Sequence, residues 1–286
     1  MADRKMTRKP GPPGGPPPPE RHLQPVQRED ETIERLLLDK GLILQKRLGY
    51  RFSIDALLLA YLVTRSPARP RGRGEIRYMD LGCGCGIIPI LLAKWECRLH
   101  GYGVEIQESV ADLAQRNMQL HGLEERIRIL CADLKRLPER HTGRCFDWIT
   151  CNPPYRQLRS GRVNPDPQKA MARHEVTASL ADVCGVMARL LRPRGRAFLI
   201  YPASRSVELL SRMRHAGLEP RYLRPVYPRP GQSARWVLVR AVAGGKEDLL
   251  VDEPLLLEDA HGTRTPEVEA IFRWDWPEVG GRGELV

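Results

Sequence analysis

A run of glycines between a predicted strand and a predicted helix constrains this chain more than any other feature. It reads DLGCGCG at residues 80–86 and follows an apolar run at 76–80. Glycines in such a turn let the backbone approach a ligand where a Cβ atom would collide. The dinucleotide pattern G-x-G-x-x-G fails because its sixth position, counted from Gly82, is Ile87, and a phosphate-binding P-loop pattern is absent. An acid followed by three alternating glycines suits a ligand with a cationic amino group and no pyrophosphate.

Short apolar strands and amphipathic helices alternate along the middle of the chain. The periodicity predicts strands at 76–80, 101–105, 127–131, 146–151 and 196–201, helices at 87–95, 107–121, 177–191 and 204–216, and an antiparallel pair at 222–227 and 236–242. This alternation indicates an α/β fold with a mostly parallel sheet and helices on both faces. Open sheets of this kind bind ligands at the carboxyl ends of their strands, so we expect the site at that edge.

Two acidic residues end the strands that follow the glycine run. Glu105 comes 23 residues after Gly82, close to the ~20 residues at which an acid accepts ribose hydroxyls in open α/β sheets. Asp133 ends the next strand, where its carboxylate can accept a hydrogen bond from an adenine amino group. A helix N-cap or a solvated loop explains either acid taken singly. With Asp80 they form a set that resembles the S-adenosylmethionine (SAM) fold of class I methyltransferases.

The tetrapeptide Asn152-Pro153-Pro154-Tyr155 follows the strand at 146–151. Its Asn-Pro and Pro-Pro steps are also typical of an ordinary turn. An adenine amino group is a poor nucleophile because its lone pair is delocalised into the ring. If the Asn152 side-chain oxygen and the Pro153 carbonyl accept both its hydrogens, that lone pair turns toward the methyl donor, and the prolines hold the acceptors in place. Tyr155 can stack on an extruded base.

Four motifs together carry a family resemblance. DLGCGCG, GVEIQ, CAD and NPPY resemble the amino-methyltransferases that act on adenine N6 or on glutamine amides. Three further segments, YRFSIDALLLAYLV (50–63), ARHE (172–175) and VYPRPG (226–231), resemble more narrowly the bacterial tRNA(Val) adenine N6-methyltransferases. The resemblance covers roughly residues 30–272. It implies methylation of an adenine beside the anticodon.

The resemblance also implies a fold and a set of site residues. The fold is the Rossmann-like class I SAM-dependent methyltransferase fold, with a mostly parallel seven-stranded sheet. The catalytic residues are those of the NPPY motif, Asn152, Pro153, Pro154 and Tyr155. The cofactor-binding residues are Asp80, Gly82, Gly84, Gly86, Glu105, Ile106, Asp133 and Asn152. The segment Phe52–Asp55 has two open interpretations, a helix start capped by Ser53 and a cover over the methionine end of SAM.

The charge distribution points to RNA as the substrate. The formal net charge is +11, and residues 189–240 hold twelve arginines against two glutamates. This favours a polyanionic partner, held by a basic face on the second half of the sheet. A single-stranded loop of tRNA is expected, because its bases can be splayed out and stacked. The loop after NPPY supplies further candidate RNA-binding residues, namely Arg156, Arg159, Arg162, Lys169 and Arg173.

Composition divides the chain into four predicted parts. Residues 1–28 contain PGPPGGPPPP and are expected to be disordered, 29–74 form an N-terminal extension, 75–245 the methyltransferase domain, and 246–286 an acidic C-terminal extension. The apolar runs are far shorter than the ~20 residues of a membrane span. The seven cysteines and the lack of an export pattern predict a cytoplasmic protein with reduced thiols. We expect no metal and a monomer.

Two alternative functions remain open from the sequence. Release-factor glutamine N5-methyltransferases share NPPY, but they carry a helical domain before the sheet, and here strand-like character precedes residue 80. A non-catalytic RNA-binding scaffold of the same fold would be free to lose Asn152 or the glycines, and this chain keeps them. Labelled methyl groups distinguish the cases, because they enter tRNA, a protein or neither.

Overall fold

A computed structural model describes residues 27–36, 41–48, 52–66, 74–137, 143–153 and 178–274. Most of the predicted 1–28 leader lies outside this range. The strands are β1 Glu31–Arg35, β2 Leu42–Lys46, β3 Ile76–Leu81, β4 Leu99–Glu105, β5 Ile127–Cys131, β6 Phe146–Cys151, β7 Leu191–Pro202, β8 Leu218–Tyr227, β9 Trp236–Ala243, β10 Leu250–Val251 and β11 Leu255–Leu256. The helices are α1 Ile54–Thr64, α2 Ile87–Trp95, α3 Glu108–Leu120, α4 Leu180–Leu190, α5 Ser206–His215 and α6 Pro266–Arg273.

The main sheet has the strand order β10-β8-β9-β7-β6-β3-β4-β5, and β11 also pairs with β8. Strands β5, β4, β3, β6 and β7 are parallel, and β9 runs antiparallel between β7 and β8. The order reverses at β3, whose neighbours are β4 and β6. Nine strands form this sheet where the sequence predicted seven. The difference is the pair of two-residue strands, β10 and β11, which the acidic C-terminal segment adds to β8.

Helices cover both faces of the sheet, as the alternation predicted. One hydrophobic layer is formed with α1, α2, part of α3 and α6, and the other with α4 and α5. Residues 55–64 of α1 are all buried, because its sequence has no polar face and it lies between the sheet and neighbouring helices. None of the helices in the described part of the chain is long and apolar enough to cross a bilayer.

The junction between α4 and β7 differs from the prediction. The sequence predicted a helix to residue 191 and a strand from 196, but α4 ends at Leu190 and β7 begins at once with Leu191. Pro193 cannot continue a helix, since it lacks an N–H and its ring clashes with the preceding turn. Leu191 pairs instead with Phe146 of β6. The helix begins as a capping box in which Ser179 and Asp182 exchange hydrogen bonds.

An antiparallel hairpin of β1 and β2 packs against α3 through a buried ion pair. Glu31 is fully buried, and its carboxylate is paired with Arg116 of α3 and accepts the Arg28 N–H at 3.1 Å. The ammonium of Lys46 lies 3.4 Å away. Burial by itself raises the pKa of Glu31. The hydrogen bonds and positive charges of Arg116 and Lys46, together with the Arg28 N–H, outweigh this effect and lower the pKa to about 2. The charged form of Glu31 therefore stabilises the fold.

We expect Glu31→Gln to lower the free energy of unfolding at pH 7 by about 3 kcal/mol, the equivalent of the shift from 4.5 to about 2. Because the pKa is lowered in the folded state, this stabilisation is present above the unfolded pKa and is lost as the pH falls toward 2. The difference between variant and wild type in urea unfolding should therefore shrink below pH 5. Glu29→Gln, at an exposed neighbour, is the matched control. An equal loss at pH 7 and pH 3 would contradict the assignment.

The acidic segment from residue 246 onward packs on the sheet and on α1. Leu255, Val268 and Ile271 of this segment are buried in the hydrophobic layer that contains α1. The Glu267 carboxylate accepts hydrogen bonds from two guanidinium nitrogens of Arg224, at 2.6 and 2.8 Å. It also accepts a hydrogen bond from the Tyr61 hydroxyl of α1 at 3.1 Å. Composition sets this segment apart, but its apolar side chains are part of the core.

Candidate functional site

The predicted site residues follow neighbouring strands at the carboxyl edge, on both sides of β3. Leu81 of β3 pairs with Val104 of β4 and Cys151 of β6. Glu105 and Asn152 come next along those strands, so they flank the first glycine of the run. This is the point at which the strand order reverses, the usual ligand position in open α/β sheets.

The three glycines of the run have left-handed backbones for two different reasons. Gly82, Gly84 and Gly86 have φ angles of 74°, 55° and 84°. A Cβ atom at Gly82 or Gly84 would meet no described atom within 4 Å, so these residues border open space. A Cβ at Gly86 would lie 2.6 Å from the methyl carbon of Met118. Gly82 and Gly84 therefore form a cradle that a ligand can enter, whereas Gly86 allows α2 and α3 to pack closely.

Glu105 fixes the shape of this cradle. Its side chain is nearly buried, and one carboxylate oxygen accepts the Gly84 N–H at 3.2 Å while the other accepts the Gln107 N–H at 2.9 Å. A carboxylate has about four acceptor positions, so each oxygen retains capacity for a ligand hydroxyl. Ile106, the next residue, is half-buried at the same edge. The arrangement fits the ribose role that the sequence predicted.

Asp80 lies beneath the cradle and not on its open surface. It is fully buried, and its Oδ1 accepts the Thr150 hydroxyl at 2.6 Å, which in turn shares a 2.6 Å hydrogen bond with Tyr78. Its buried Oδ2 has no hydrogen-bond partner among the described residues. Burial raises the pKa of Asp80 to about 7, the charge of Glu105 adds to the rise, and the Thr150 hydrogen bond opposes it. An orphaned acceptor here fits a donor that arrives with a cationic ligand.

Asp133 acts as a cap in the structure, the alternative that its sequence position left open. Its Oδ1 accepts the Lys135 N–H at 2.9 Å and begins the short 3-10 turn Leu134–Arg136. The Lys135 ammonium lies 3.8 Å from Oδ2. A capping carboxylate still has free acceptor positions, so contact with an adenine amino group stays a prediction.

The described part of the NPPY motif consists of its first two residues. Asn152 is half-buried and Pro153 is buried, directly after β6. Pro154 and Tyr155 lie outside the described residues, as do the five predicted RNA-binding residues Arg156, Arg159, Arg162, Lys169 and Arg173. Among the residues that are described, no cluster of His, Cys, Asp or Glu could hold a metal ion.

Sequence reasoning missed a buried asparagine that connects the N-terminal hairpin to the glycine run. The Asn117 side chain of α3 accepts the Leu44 N–H at 2.8 Å and donates to the carbonyls of Leu44 and Cys85 at 3.0 and 2.9 Å. Cys85 lies between the last two glycines of the run. The signal was an amide on the apolar face of an amphipathic helix, one residue before the buried Met118.

A second connection from the hairpin reaches the segment Phe52–Asp55. The buried side chain of Gln45 accepts the Phe52 N–H at 3.1 Å. Ser53 occupies the N-cap position of α1, but its hydroxyl donates to Asp55 at 2.5 Å and accepts no helix N–H. The predicted helix start at Ser53 is therefore confirmed, but its side chain does not cap the helix, because the hydroxyl donates to Asp55, which itself accepts the Ala56 N–H. The hairpin is thus linked to the glycine run through Asn117 and to the start of α1 through Gln45.

The predicted basic face is smaller in the structure than in the sequence. Arginines of α5 and β8 and of the turn that follows are paired with acids of the C-terminal segment: Arg214 with Glu247, Arg221 with Asp248, Arg224 with Glu267 and Arg229 with Glu258. Summing charges over 189–240 counted these arginines as free. The acids that neutralise them come from a later part of the chain.

Comparison with known proteins decides the family. Residues 73–225, more than half of the chain, match the family model described as a methyltransferase domain. The chain belongs to this methyltransferase family. The glycine cradle, Glu105 and the orphaned oxygen of Asp80 fit SAM, and the protein is a SAM-dependent methyltransferase with the class I fold, as the sequence predicted. The predicted fold class and cofactor are thus confirmed, with the correction in strand number given above.

Two curated relatives and one solved structure show the extent of the similarity. The tRNA1(Val) (adenine(37)-N6)-methyltransferase of Shewanella amazonensis is 29% identical over 225 residues, 79% of this chain and 91% of that protein. The enzyme of the same name from Porphyromonas gingivalis is 32% identical over 56% of this chain and 61% of its own length. The crystal structure of a predicted O-methyltransferase from Agrobacterium tumefaciens has a TM-score of 0.59 and 22% identity, covering 77% of this chain and 96% of that one. This structural likeness supports the fold alone.

Proposed function

We propose that this methyltransferase transfers the methyl group of SAM to the N6 amino group of an adenine in tRNA. The observation that carries the proposal is the position of Asn152 and Pro153, which follow β6 at the edge that holds the glycine cradle. Two relatives named as tRNA adenine N6-methyltransferases support the same substrate. An unpaired base of a tRNA loop fits, because a paired base cannot reach an acceptor at a sheet edge.

The residues of the chain act mainly by position. When bound, SAM would supply an electrophilic methyl group, whose bond to the sulfonium sulfur breaks as the nitrogen–carbon bond forms, so that the sulfur leaves as a neutral thioether. The Asn152 side-chain oxygen and the Pro153 carbonyl each accept a hydrogen bond from one N–H of the amine. These two hydrogen bonds direct the nitrogen lone pair out of the ring system. Glu105 and the backbone around Gly82 and Gly84 hold the cofactor. Because the methylated amine is acidic, its proton is lost to water without a dedicated base, and placement and electrostatics supply most of the rate.

Nucleoside mass spectrometry of tRNA tests the proposal. Unmodified tRNA incubated with the protein and SAM carrying a labelled methyl group should yield labelled N6-methyladenosine, and tRNA incubated without the protein should not. Label in a release-factor protein fraction, and none in tRNA, would favour glutamine methylation. Label in neither fraction would favour the non-catalytic scaffold. Either of these two results would overturn the proposal.

The ribose role of Glu105 has a separate test. SAM should raise the melting temperature of the protein, because a ligand that binds only the folded state stabilises it. Glu105→Ala should weaken SAM affinity on the order of tenfold or more, since hydrogen bonds to a charged group contribute about 1.5–3 kcal/mol. Glu108→Ala, at an exposed position three residues later, is the control. Equal SAM titrations for Glu105→Ala and wild type would refute this role.

A further inference from the structure

Two arginine side chains converge on one hydroxyl where α1 ends. Arg196 of β7 and Arg240 of β9 lie on the same face of the sheet, because Arg240 pairs with Phe198, two residues beyond Arg196. Nη1 of Arg196 lies 3.1 Å from the Ser66 Oγ, and Nη1 of Arg240 lies 3.4 Å from the same atom. Both side chains are half-buried. Two like charges therefore share one neutral acceptor.

No carboxylate of the described residues forms an ion pair with either guanidinium. The negative charge of Asp147 is close enough to raise the pKa of Arg196. Asp147 is itself paired with Arg192 at 2.5 Å and accepts the Arg77 N–H at 2.8 Å. Burial, together with the charges of Arg240 and Arg192, lowers the pKa of Arg196 to about 10. Burial also lowers the pKa of Arg240, whose guanidinium stands 5.4 Å from the Tyr222 ring centre.

This arrangement costs stability unless an anion compensates it. A partly buried charge without a counter-ion is unfavourable, and two of the same sign repel each other. The paired arginines Arg214, Arg221, Arg224 and Arg229 show that this protein supplies carboxylates to arginines of the neighbouring strand and helix. The contrast points to a ligand at Arg196 and Arg240, to which no carboxylate of the described residues is paired.

We propose that Arg196, Arg240 and Ser66 bind a phosphate group of the RNA backbone, at a site separate from the methyl-transfer edge. Guanidinium groups present planar N–H donors that match phosphate oxygens, and the Ser66 hydroxyl can turn to donate a third hydrogen bond. The sequence that follows Ser66 is also basic, with three arginines and no acid before Glu75. This inference rests on the proposed function, which makes RNA the substrate.

The distance from this arginine pair to Asn152, at the carboxyl edge of the sheet where methyl transfer is proposed, allows one RNA molecule to bind at both sites. Arg196 pairs with Trp148, four residues before Asn152 on the adjacent strand. With ~3.3 Å per residue along a strand and ~4.8 Å between strands, Arg196 and Asn152 lie about 14 Å apart along the sheet. A tRNA that places one base at the edge is long enough to place a backbone phosphate at this site.

The test is a double variant that removes both charges and keeps the aliphatic stems, Arg196→Met with Arg240→Met. Its tRNA affinity should fall roughly tenfold near 0.15 M salt, and its slope of log K against log salt should flatten by about one, as expected for one lost phosphate contact. SAM affinity should not change. The melting temperature should not fall, because repulsion between the two charges is relieved. Arg229→Met, which removes an exposed arginine paired with Glu258, is the control and should alter neither affinity nor slope as much.

A second probe measures the site without RNA. Sodium sulfate should raise the melting temperature of the wild type more than sodium chloride of equal ionic strength, and the double variant should lose this difference. Unchanged tRNA affinity and salt slope in the double variant would overturn the inference, as would a lower melting temperature without a loss of the sulfate effect. Loss of binding to vesicles of anionic phospholipid, with tRNA binding intact, would assign the site to lipid and also overturn it. Failure of the proposed function is distinguishable, because it is scored by methyl transfer of the wild type and these assays measure binding.

Discussion

Asn152→Ala is expected to lower the rate of tRNA methylation by about 10²–10³, the effect usually seen when one positioned hydrogen-bonding group is removed from a reaction centre. The substitution deletes the acceptor that orients the adenine amine and leaves the glycine cradle and Glu105 unchanged. SAM affinity should therefore remain within about twofold of wild type. Single-turnover transfer of labelled methyl groups, with SAM binding measured by calorimetry, gives the two quantities separately.

Asn152→Asp is the informative companion to this variant. It keeps a side-chain oxygen at the same place, so it should retain more activity than Asn152→Ala. An alanine variant that methylates tRNA at the wild-type rate would contradict the mechanism. Parallel loss of SAM binding and of activity would instead mean that Asn152 acts through the cofactor.

Asn117→Leu is expected to lower the free energy of unfolding by about 3 kcal/mol and to weaken SAM binding. Leucine has the same branching at Cγ but cannot form hydrogen bonds, so it leaves the Leu44 N–H and the carbonyls of Leu44 and Cys85 without this partner. A buried group that loses its only partner costs about 1–3 kcal/mol. Because Cys85 belongs to the glycine run, the loop that forms the cofactor cradle also loses a fixed point. Urea unfolding measures the first effect and SAM titration of the folded protein measures the second.

Gln115→Leu is the matched control on the same helix. Gln115 accepts the Ile129 N–H at 3.3 Å and forms no hydrogen bond with the described residues of the hairpin or the glycine run. It should cost less stability and leave SAM affinity unchanged. If Asn117→Leu lowers stability while folded molecules bind SAM normally, Asn117 supports the hairpin alone and has no effect on the cradle.

The sequence by itself determined the fold class and predicted the place of the site. The glycine run at 80–86 needs a strand before it and a helix after it, and the acids Glu105 and Asp133 recur at strand ends. These are local patterns, because a tight turn and an alternation of apolar residues depend on neighbours in the chain. The same locality explains why the predicted helix at 87–95 and the strands at 127–131 and 146–151 coincide with the observed elements.

Only the tertiary structure decided which side chains are paired and which stand alone. Asn117 meets Leu44 across 73 residues, and Arg224 meets Glu267 across 43. No pattern along the chain encodes such contacts, since they depend on how distant segments pack. A sum of charges treated every arginine between 189 and 240 alike, whereas folding paired Arg224 with Glu267 and placed Arg196 and Arg240 together, with no carboxylate of the described residues paired to either. The physical reason is that an ion pair forms by proximity in space, and burial then sets the cost of any charge that proximity leaves uncompensated.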